Sequence, residues 1–201
     1  MKIKTLMIPD PIIITEKASV EEAIEVMKSN SIRHLPVVSK EFVLKGFVTL
    51  ADMKSGLIPA MVAGVSLEDL MVKDPITVGP DDDIEIAAQL FYKHKIGGMP
   101  VVQENKLVGI ITESDILRAF IDMMGILTSS SRIDVAMEKK PGLFRKALQI
   151  IMDQGGDIIN VGLAPQSTKK RTYYIRLTAC KTGVIKTALE KEGFEVVNAM
   201  D

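Results

Sequence analysis

Short apolar runs alternate with helical stripes along the first third of the chain. A capping-box pattern begins at Ser19, and the apolar residues after it recur at the three- and four-residue spacing of one helix face. Residues 35–38 and 43–48 are apolar runs that predict two strands joined by a polar turn. With a short strand at residues 12–14 and a helix entered at Asp52, the predicted order is strand, helix, strand, strand, helix.

The same order is predicted again in the second third of the chain, because identical residues recur at a fixed spacing. The spacing is 64 positions up to the first long strand and 63 positions after it, as in Met7/Met71, Asp10/Asp74, Pro36/Pro100, Gly46/Gly109, Thr49/Thr112 and Asp52/Asp115. A module of about sixty residues is small for an independent core, so we expect the copies to pack together. The predicted boundaries are residues 1–60 for the first copy and 61–125 for the second.

The last third follows a different pattern. After a predicted linker at residues 126–132, Ile133, Val135 and Met137 alternate with small or polar residues, and Ile159, Val161 and Leu163 alternate in the same way. A helix is predicted to bury Val184, Ile185, Ala188 and Leu189. Residues 133–201 therefore read as βαββαβ, the ferredoxin-like order, and the whole chain is predicted to be α/β (α+β).

Composition limits the classes of function. A net charge of −1 over 201 residues gives no general attraction to nucleic acid or to an anionic membrane. The apolar runs are far shorter than a membrane span, and the first residues lack the apolar core of a signal peptide. The single Cys180 excludes an internal disulfide. We therefore expect a cytoplasmic protein without a nucleic-acid or membrane partner.

One motif occurs once in each copy and carries the candidate chemistry. Residues 46–52 (GFVTLAD) and 109–115 (GIITESD) each run from a glycine through a strand to Thr-x-x-Asp at a helix start. Beside the unpaired N–H groups of a helix start, a hydroxyl and a carboxylate can hold an anion or a sugar. The alternative is a capping box, in which the two side chains only satisfy the helix. Recurrence inside a longer repeat favours the binding interpretation.

These motifs resemble a pair of CBS domains, the tandem regulatory module also called a Bateman module. The resemblance covers about residues 1–125 and rests on IRHLPVV at residues 32–38, IGGMPVV at 96–102 and the two glycine-to-Asp stretches. The last third resembles an ACT domain through its βαββαβ order and its Pro141-Gly142-Leu143 turn. The combination is similar to the AcuB group of acetoin-utilisation regulators.

The resemblance implies an adenosine-nucleotide site in the cleft between the copies. AMP, ADP, ATP or S-adenosylmethionine would be a regulatory ligand there, with no catalytic cofactor. Asp52 and Asp115 match the position that binds the ribose diol, and Thr49 and Thr112 match a hydroxyl that reaches ribose or phosphate. The other implied site positions are Ile13, Ile14, Arg33, His34, Pro36, Ala51, Thr77, Val78, Gly98, Pro100 and Ser114.

Two parts of this implied site leave alternatives open. Arg33 and His34 lie where related modules place phosphate-binding side chains, whereas the second copy has Gly97 and Gly98 there, so the two sites are predicted to be unequal. His34 as a packed histidine at a strand start is an equal alternative. In the ACT-like part, Gly142, Asp157 and Asn160 are the candidate effector-binding residues, and a plain turn glycine and strand polar residues are the alternative.

The predicted function is a non-catalytic sensor. No phosphate-cradling loop, metal cluster or nucleophile–base pair can be recognised by spacing, so an enzyme of unknown type is an alternative only. A structural adaptor with an empty cleft is another alternative, although paired Thr and Asp side chains are costly to bury without a polar partner. The resemblance further implies a homodimer and a downstream protein that the sequence does not identify.

Overall fold

The structure is a computed structural model that describes residues 1–56, 65–128, 130–164 and 170–201. The chain divides into two compact units, Met1–Leu117 and Arg118–Asp201, and each is described by itself. The predicted boundary between the two copies, at residues 60 and 61, lies outside the described residues.

The first unit contains two sheets with the same plan. Its elements are a 3₁₀ turn at Ile3–Thr5, then β1 (Ile8–Pro9), β2 (Ile14–Thr15), α1 (Val20–Ser29), β3 (His34–Val38), β4 (Leu44–Thr49), α2 (Leu50–Gly56), α3 (Leu67–Leu70), α4 (Ile84–His94), β5 (Gly98–Gln103), β6 (Lys106–Thr112) and α5 (Glu113–Met123), which extends past the end of the unit. The sheets have the strand orders β2-β3-β4 and β1-β6-β5. The predicted order is confirmed in both copies for the long elements.

The helices begin where the sequence predicts. Ser19 caps α1 through the predicted capping box, with its hydroxyl accepting from the N–H of Glu22 at 3.1 Å and the Glu22 carboxylate accepting from the N–H of Ser19 at 2.8 Å. Asp83 stands at the N-cap position of α4 but makes no side-chain cap, because its carboxylate pairs with Lys2 Nζ at 3.0 Å.

The opening strands are shorter than predicted, and a proline in each copy explains why. Ile14 pairs with Val37 in parallel, and Val78 makes an isolated bridge with Val101. One position earlier, the opposing residue is a proline in both copies, Pro36 and Pro100. Proline has no N–H to donate to a ladder, so pairing cannot extend towards the start of either strand.

The opening segment of each copy packs on the other copy. β1, from the first copy, pairs antiparallel with β6 of the second, with Ile8 opposite Ile110. In the reciprocal contact, Val72 exchanges two backbone hydrogen bonds with Phe47 of β4, at 2.9 and 3.1 Å. Leu67, at the start of the second opening, is buried in the core of the first copy. The two copies are therefore interlocked.

The glycine that starts each repeated motif lies under this exchanged segment. A Cβ on Gly46 would fall 2.5 Å from Met71 Sδ and 3.1 Å from the carbonyl oxygen of Val72. A Cβ on Gly109 would fall 2.7 Å from Met7 Sδ and 3.0 Å from the carbonyl oxygen of Ile8. At both glycines a Cβ would meet a Met side chain and a backbone carbonyl of the other copy more tightly than side chains normally pack, so glycine suits the close approach of this segment.

The second unit is a four-stranded antiparallel sheet with two helices on one face. Its elements are β7 (Ser130–Glu138), α6 (Leu143–Asp153), β8 (Ile158–Leu163), β9 (Lys170–Thr178), α7 (Thr182–Lys191) and β10 (Glu195–Met200), and the sheet order is β10-β7-β9-β8. Ile133, Val135 and Met137 of β7 are buried in a core shared with both helices, as predicted. Among the helices in the described ranges, none is long and apolar enough to cross a membrane.

Part of the predicted linker is strand. β7 begins at Ser130, and Ser131 is completely buried within it. The Ser131 hydroxyl donates to the carbonyl of Cys180 and accepts from the N–H of Cys180, both at 2.8 Å. A serine whose hydroxyl is satisfied in both directions can be buried at little cost, so Ser131 does not belong to an exposed linker.

The predicted buried faces of β8 and α7 are each wrong in part. The pairing of β8 with β9 shifts between Ile158 and Asn160, so Ile159 is an extra residue that inverts the alternation. Ile158 and Val161 pack against the core, whereas Ile159 and Leu163 are exposed. On α7, Ile185 and Leu189 are buried as predicted, but Val184 is 59% exposed.

We expect Gly109→Ala to destabilise the first unit, because its new methyl group would collide with the carbonyl of Ile8. The expected loss is about 1–3 kcal/mol, the usual range for overpacking a close contact. Gly79→Ala is the matched control, since a Cβ there meets its nearest atom at an ordinary 3.4 Å. Urea unfolding followed by circular dichroism measures both, and equal midpoints for the two variants would contradict the exchanged-segment explanation.

Candidate functional site

The two Thr-x-x-Asp turns have nearly identical geometry. Asp52 Oδ2 accepts from the Thr49 N–H at 2.9 Å and from the Thr49 hydroxyl at 2.7 Å. Asp115 Oδ2 accepts from the corresponding groups of Thr112 at 2.8 and 2.7 Å. Each threonine hydroxyl is also within 3.3–3.4 Å of the aspartate N–H. The capping-box alternative is therefore realised in both copies.

A capping box does not use all the hydrogen-bond acceptor positions of the aspartate carboxylate. It uses one oxygen, whereas a carboxylate has two oxygens and about four acceptor positions. Asp115 is half-buried, and its hydrogen bonds within the described part of the chain all go to Oδ2. The box fixes the orientation of this carboxylate, and Oδ1 remains chemically able to accept hydroxyl groups. Capping and diol binding are thus compatible.

A third capping box of the Ser/Thr-x-x-Asp type shows that the geometry alone does not define a site. Ser66 and Asp69 cap α3 with the same contacts, in which Asp69 Oδ2 accepts from the Ser66 N–H at 2.9 Å and from its hydroxyl at 2.6 Å. Asp69 lies outside the repeated motif. What distinguishes the other two boxes is their position at matching strand ends where the copies meet.

The strand register matches the two copies residue by residue at these ends. His34 is opposite Thr49 in the first sheet, and Gly98 is opposite Thr112 in the second. The carbonyl of Arg33 accepts from the N–H of Leu50 at 2.9 Å. In the second copy, the carbonyl of Gly97 accepts from the N–H of Glu113 at 3.1 Å. Arg33, His34 and Leu50 therefore correspond to Gly97, Gly98 and Glu113, and we call these six residues the junction rim.

His34 crosses from the first copy to the second. A Cβ on Gly98 would fall 2.9 Å from His34 Cγ, and one on Gly97 would fall 3.1 Å from His34 Nε2. The ring also stacks on Phe47, with 5.9 Å between ring centroids and 16° between planes. The glycine pair thus provides the space that the imidazole occupies, and the alternative of a packed histidine describes this geometry.

Burial lowers the pKa of His34 below its ordinary value, and the neighbouring positive charge of Arg33 lowers it further. The carboxylates of Glu113 and Asp52 act in the opposite direction and do not overcome these two effects. Glu113 was absent from the predicted site. Aligning the copies position by position could have found it, because it stands where the first copy has the apolar Leu50.

The remaining predicted nucleotide-site residues differ in accessibility. Ile14 and Val78 are two of the four positions, with Ile13 and Thr77, at which the resemblance implies that backbone and apolar side chains hold the adenine ring, and their side chains are 8% and 4% exposed. Pairing in the ladder begins at Ile14 and Val78, so the backbone of Ile13 and Thr77 is left outside it. The other positions divide into exposed Arg33, Ala51, Thr77 and Ser114, half-buried Ile13, and buried Pro36, Gly98 and Pro100.

The predicted effector residues of the second unit do not come together within one chain. Gly142 precedes α6 and Asp157 follows it, and an eleven-residue helix is about 16 Å long. Asn160 donates its amide to the carbonyl of Met123 at 3.2 Å. Gly142 has a φ of 87° and open space around its Cα, as expected for a turn glycine. A groove of about 560 Å³ lies between α6 and α7, but none of these three residues lines it.

A match to a family model now identifies the first unit. The CBS domain model matches residues 3–58 and 67–122, which together are more than half of the chain. The chain therefore belongs to the CBS-domain family. The described residues contain no group of three His, Cys, Asp or Glu side chains that could hold a metal ion.

The relatives that share this module are longer proteins. A homoserine O-acetyltransferase of Methanocorpusculum labreanum is 39% identical over 115 residues, which are 56% of this chain and 23% of the relative. An inosine-5′-monophosphate dehydrogenase of Methanocaldococcus jannaschii is 34% identical over 151 residues, which are 75% of this chain and 30% of the relative. The chain thus spans less than a third of either relative.

Solved structures resemble about 60% of the chain. The CBS domain pair of protein MJ0100, in complex with 5′-methylthioadenosine and S-adenosylmethionine, is 30% identical with a TM-score of 0.56 and covers 60% of this chain and 95% of its own. CBSX2 of Arabidopsis thaliana in complex with AMP is 26% identical, with a TM-score of 0.55 and coverages of 60% and 96%. An acetoin-utilisation-type protein, AcuB of Vibrio cholerae, is 31% identical with a TM-score of 0.55 and coverages of 61% and 91%.

The lowered pKa of His34 predicts a loss of stability in acid. The unfolded chain takes up a proton on this ring near its ordinary pKa of 6.5, whereas the folded protein takes it up only at lower pH. Because the unfolded state binds more protons in that interval, the free energy of unfolding falls as the pH drops below about 7. We expect His34→Gln to remove this part of the pH dependence.

Urea unfolding at about pH 7.5 and about pH 5.5 tests this prediction. His94→Gln is the control, because it makes the same change at the other histidine of the chain, whose side chain is exposed. An unchanged acid loss in His34→Gln would show that another group causes it.

Proposed function

We propose that the chain is a non-catalytic sensor that binds an adenosine compound between the two CBS copies. One observation carries this proposal: both copies hold an oriented Thr-x-x-Asp carboxylate at corresponding strand ends of the junction. MJ0100 binds methylthioadenosine and S-adenosylmethionine in a CBS pair of this kind, and CBSX2 binds AMP. These complexes support an adenosine ligand here.

Each side chain has a proposed part in binding. Asp52 and Asp115 accept the ribose hydroxyl groups, with Thr49 and Thr112 holding each carboxylate in place. Ser114, exposed beside Asp115, adds a hydroxyl that Ala51 does not offer in the first copy. The exposed Arg33, with His34, contacts a phosphate where the ligand has one. The backbone of Ile13 and Thr77, outside the sheet ladder, reads the edge of the adenine ring.

The interlocked openings give a route from ligand to response. A ligand that contacts both copies favours one arrangement of β1 on β6 and of Val72 on β4 over others. The shift is limited by the difference in the ligand's affinity for the two arrangements. We propose that the chain passes this change to a downstream protein.

A regulatory role fits the relatives, two of which carry names of enzymes several times longer than the matched segment. We propose that the shared segment is a regulatory part of those proteins and that the catalytic groups lie elsewhere in them. An enzyme of unknown type is the second candidate. Turnover of AMP, ATP or S-adenosylmethionine by the purified chain would favour it.

We propose that the second unit is ACT-like. Its βαββαβ order, its antiparallel sheet and the left-handed Gly142 before α6 support this assignment. Its role would be to bind a second small effector or to mediate oligomerisation. A link to acetoin utilisation is proposed on the similarity to AcuB, and a cytoplasmic location is proposed on the composition.

A homodimer is the proposed assembly, and exposed apolar side chains support it. Ile86, Leu117 and Val184 are 44%, 61% and 59% exposed. Burying such side chains in a partner gains about 25 cal/mol per Å² of apolar surface. Light scattering at micromolar concentration should give twice the chain mass of 22.0 kDa. A mass of one chain across the concentration range would contradict the dimer.

Asp115→Asn tests the binding proposal while preserving the helix cap. The asparagine carbonyl oxygen can still accept from Thr112, but an NH₂ group replaces the second acceptor oxygen. Because a hydrogen bond to a charged group contributes roughly 1.5–3 kcal/mol, binding of the adenosine ligand held by the second copy should weaken about ten- to a hundredfold. Calorimetric titration with AMP and 5′-methylthioadenosine measures this.

Asp69→Asn is the matched control, since it makes the same change in the third capping box. It should lower stability as little as Asp115→Asn does and leave affinity unchanged. Equal weakening in both variants would mean that the effect comes from the cap. No binding of either compound to the folded wild type would reject the proposed function and leave the adaptor alternative.

A further inference from the structure

The junction rim has opposite charge in its two halves. Where the first copy carries Arg33 and His34, the second carries Gly97 and Gly98. Where the first copy has the uncharged Leu50, the second has Glu113, held by the same backbone hydrogen bond. We call the two halves of the rim half-sites. The half-site of the first copy (Arg33, His34 and Leu50) thus has a fixed cation and an imidazole, whereas the half-site of the second (Gly97, Gly98 and Glu113) has one additional carboxylate.

The missing cation of the second half cannot be supplied at the glycine positions. The His34 ring already fills the space above Gly97 and Gly98, where a Cβ would come within 2.9–3.1 Å of its atoms. The Glu113 side chain lies next to this space, with its Oε2 atom 3.8 Å from the position of a Cβ on Gly97. The Glu113 carboxylate therefore lies beside the His34 ring at the glycine strand start of the second copy.

The nearest cation in sequence points elsewhere. Lys95 places Nζ over the ring of Tyr92, 4.3 Å from its centroid. Tyr92 is 79% exposed, so this ammonium group is held at the outer surface of α4. The first copy has the uncharged Ser31 at the matching position, where the chain is also left-handed. Lys95 therefore does not restore the phosphate-binding charge that Gly97 and Gly98 remove.

We propose that the two half-sites select adenosine ligands of different charge, with Glu113 as the specificity-determining residue of the second. The half with Arg33 and His34 takes an adenosine compound that ends in a phosphate. The half with Glu113 takes one whose 5′ substituent is neutral or cationic, such as a thioether or a sulfonium. This inference rests on the proposed function and adds the chemical class that each half accepts.

The physical basis is repulsion between like charges. A nucleoside monophosphate carries close to two negative charges at neutral pH, and a carboxylate beside it opposes binding. Glu113 is exposed, so water and salt weaken the effect, and it should amount to roughly a two- to tenfold change in affinity. The affinity for a neutral thioether should not depend on the charge of Glu113. Comparing the two ligands therefore distinguishes electrostatic selection from a general change in fit.

The test is calorimetric titration of the full chain with AMP and with 5′-methylthioadenosine, alone and in succession. The wild type should bind one AMP per chain tightly, and AMP-saturated protein should still bind one methylthioadenosine. Glu113→Gln, which keeps the size of the side chain, should strengthen binding of a second AMP roughly two- to tenfold. Its affinity for methylthioadenosine should stay at the wild-type value.

Arg33→Gly gives the complementary variant, since it copies Gly97 into the first half. It should weaken the tight AMP site and leave methylthioadenosine binding unchanged. Two AMP molecules bound with equal affinity by the wild type, or a Glu113→Gln effect shared equally by AMP and methylthioadenosine, would overturn the selection while leaving an adenosine sensor. Absence of binding by both compounds would overturn this inference together with the proposed function.

Discussion

The exchange of opening segments between the two copies is the contact on which the rest of the first unit depends. β1 completes the sheet of the second copy, and Leu67 fills the core of the first. Each copy therefore depends on the other, the second for a strand of its sheet and the first for a core side chain, which agrees with the small size of the module. The exchange works only because Gly46 and Gly109 let a Met side chain and a carbonyl of the other copy come into contact. The motif glycines are thus structural, whatever the ligand.

The same exchange distinguishes two of the aspartate turns from an ordinary helix cap. A Thr-x-x-Asp or Ser-x-x-Asp cap is a local device, and Asp52, Asp69 and Asp115 all make it with nearly equal distances. Only Asp52 and Asp115 lie at corresponding strand ends of the two interlocked copies. A short motif therefore reports the local turn, and its use as a site is decided by the tertiary contacts around it.

This difference explains how much could be predicted from the sequence. The long helices and strands follow from periodicity and caps, which are local, and the repeat showed that two copies would pack together. The exchange did not follow, because the pattern of a segment such as Ile8–Pro9 is the same whether it pairs with its own copy or with the other. The extra residue at Ile159 was hidden by two adjacent isoleucines, either of which satisfies an alternating pattern.

The candidate site shows the same limit in another form. The repeated motif predicted the two carboxylates, and the resemblance implied Arg33. Neither indicated that His34 would cross to Gly97 and Gly98, because that contact joins residues 63–64 positions apart. In the sequence the two glycines are a departure from the first copy. In the structure they are one half of a complementary pair, with a large ring in one copy and no side chain in the other.

Complementarity of this kind prevents the two half-sites from being equivalent. If both copies carried a histidine at this position, the two rings would compete for the space above one pair of strand starts. Packing of the junction therefore makes the two halves chemically different. The first half has the Arg33 cation and the His34 ring, and in the second half Glu113 occupies the helix start where the first copy buries part of Leu50. A duplicated module that must fill its own junction thus acquires two different chemical surfaces from one ancestral plan.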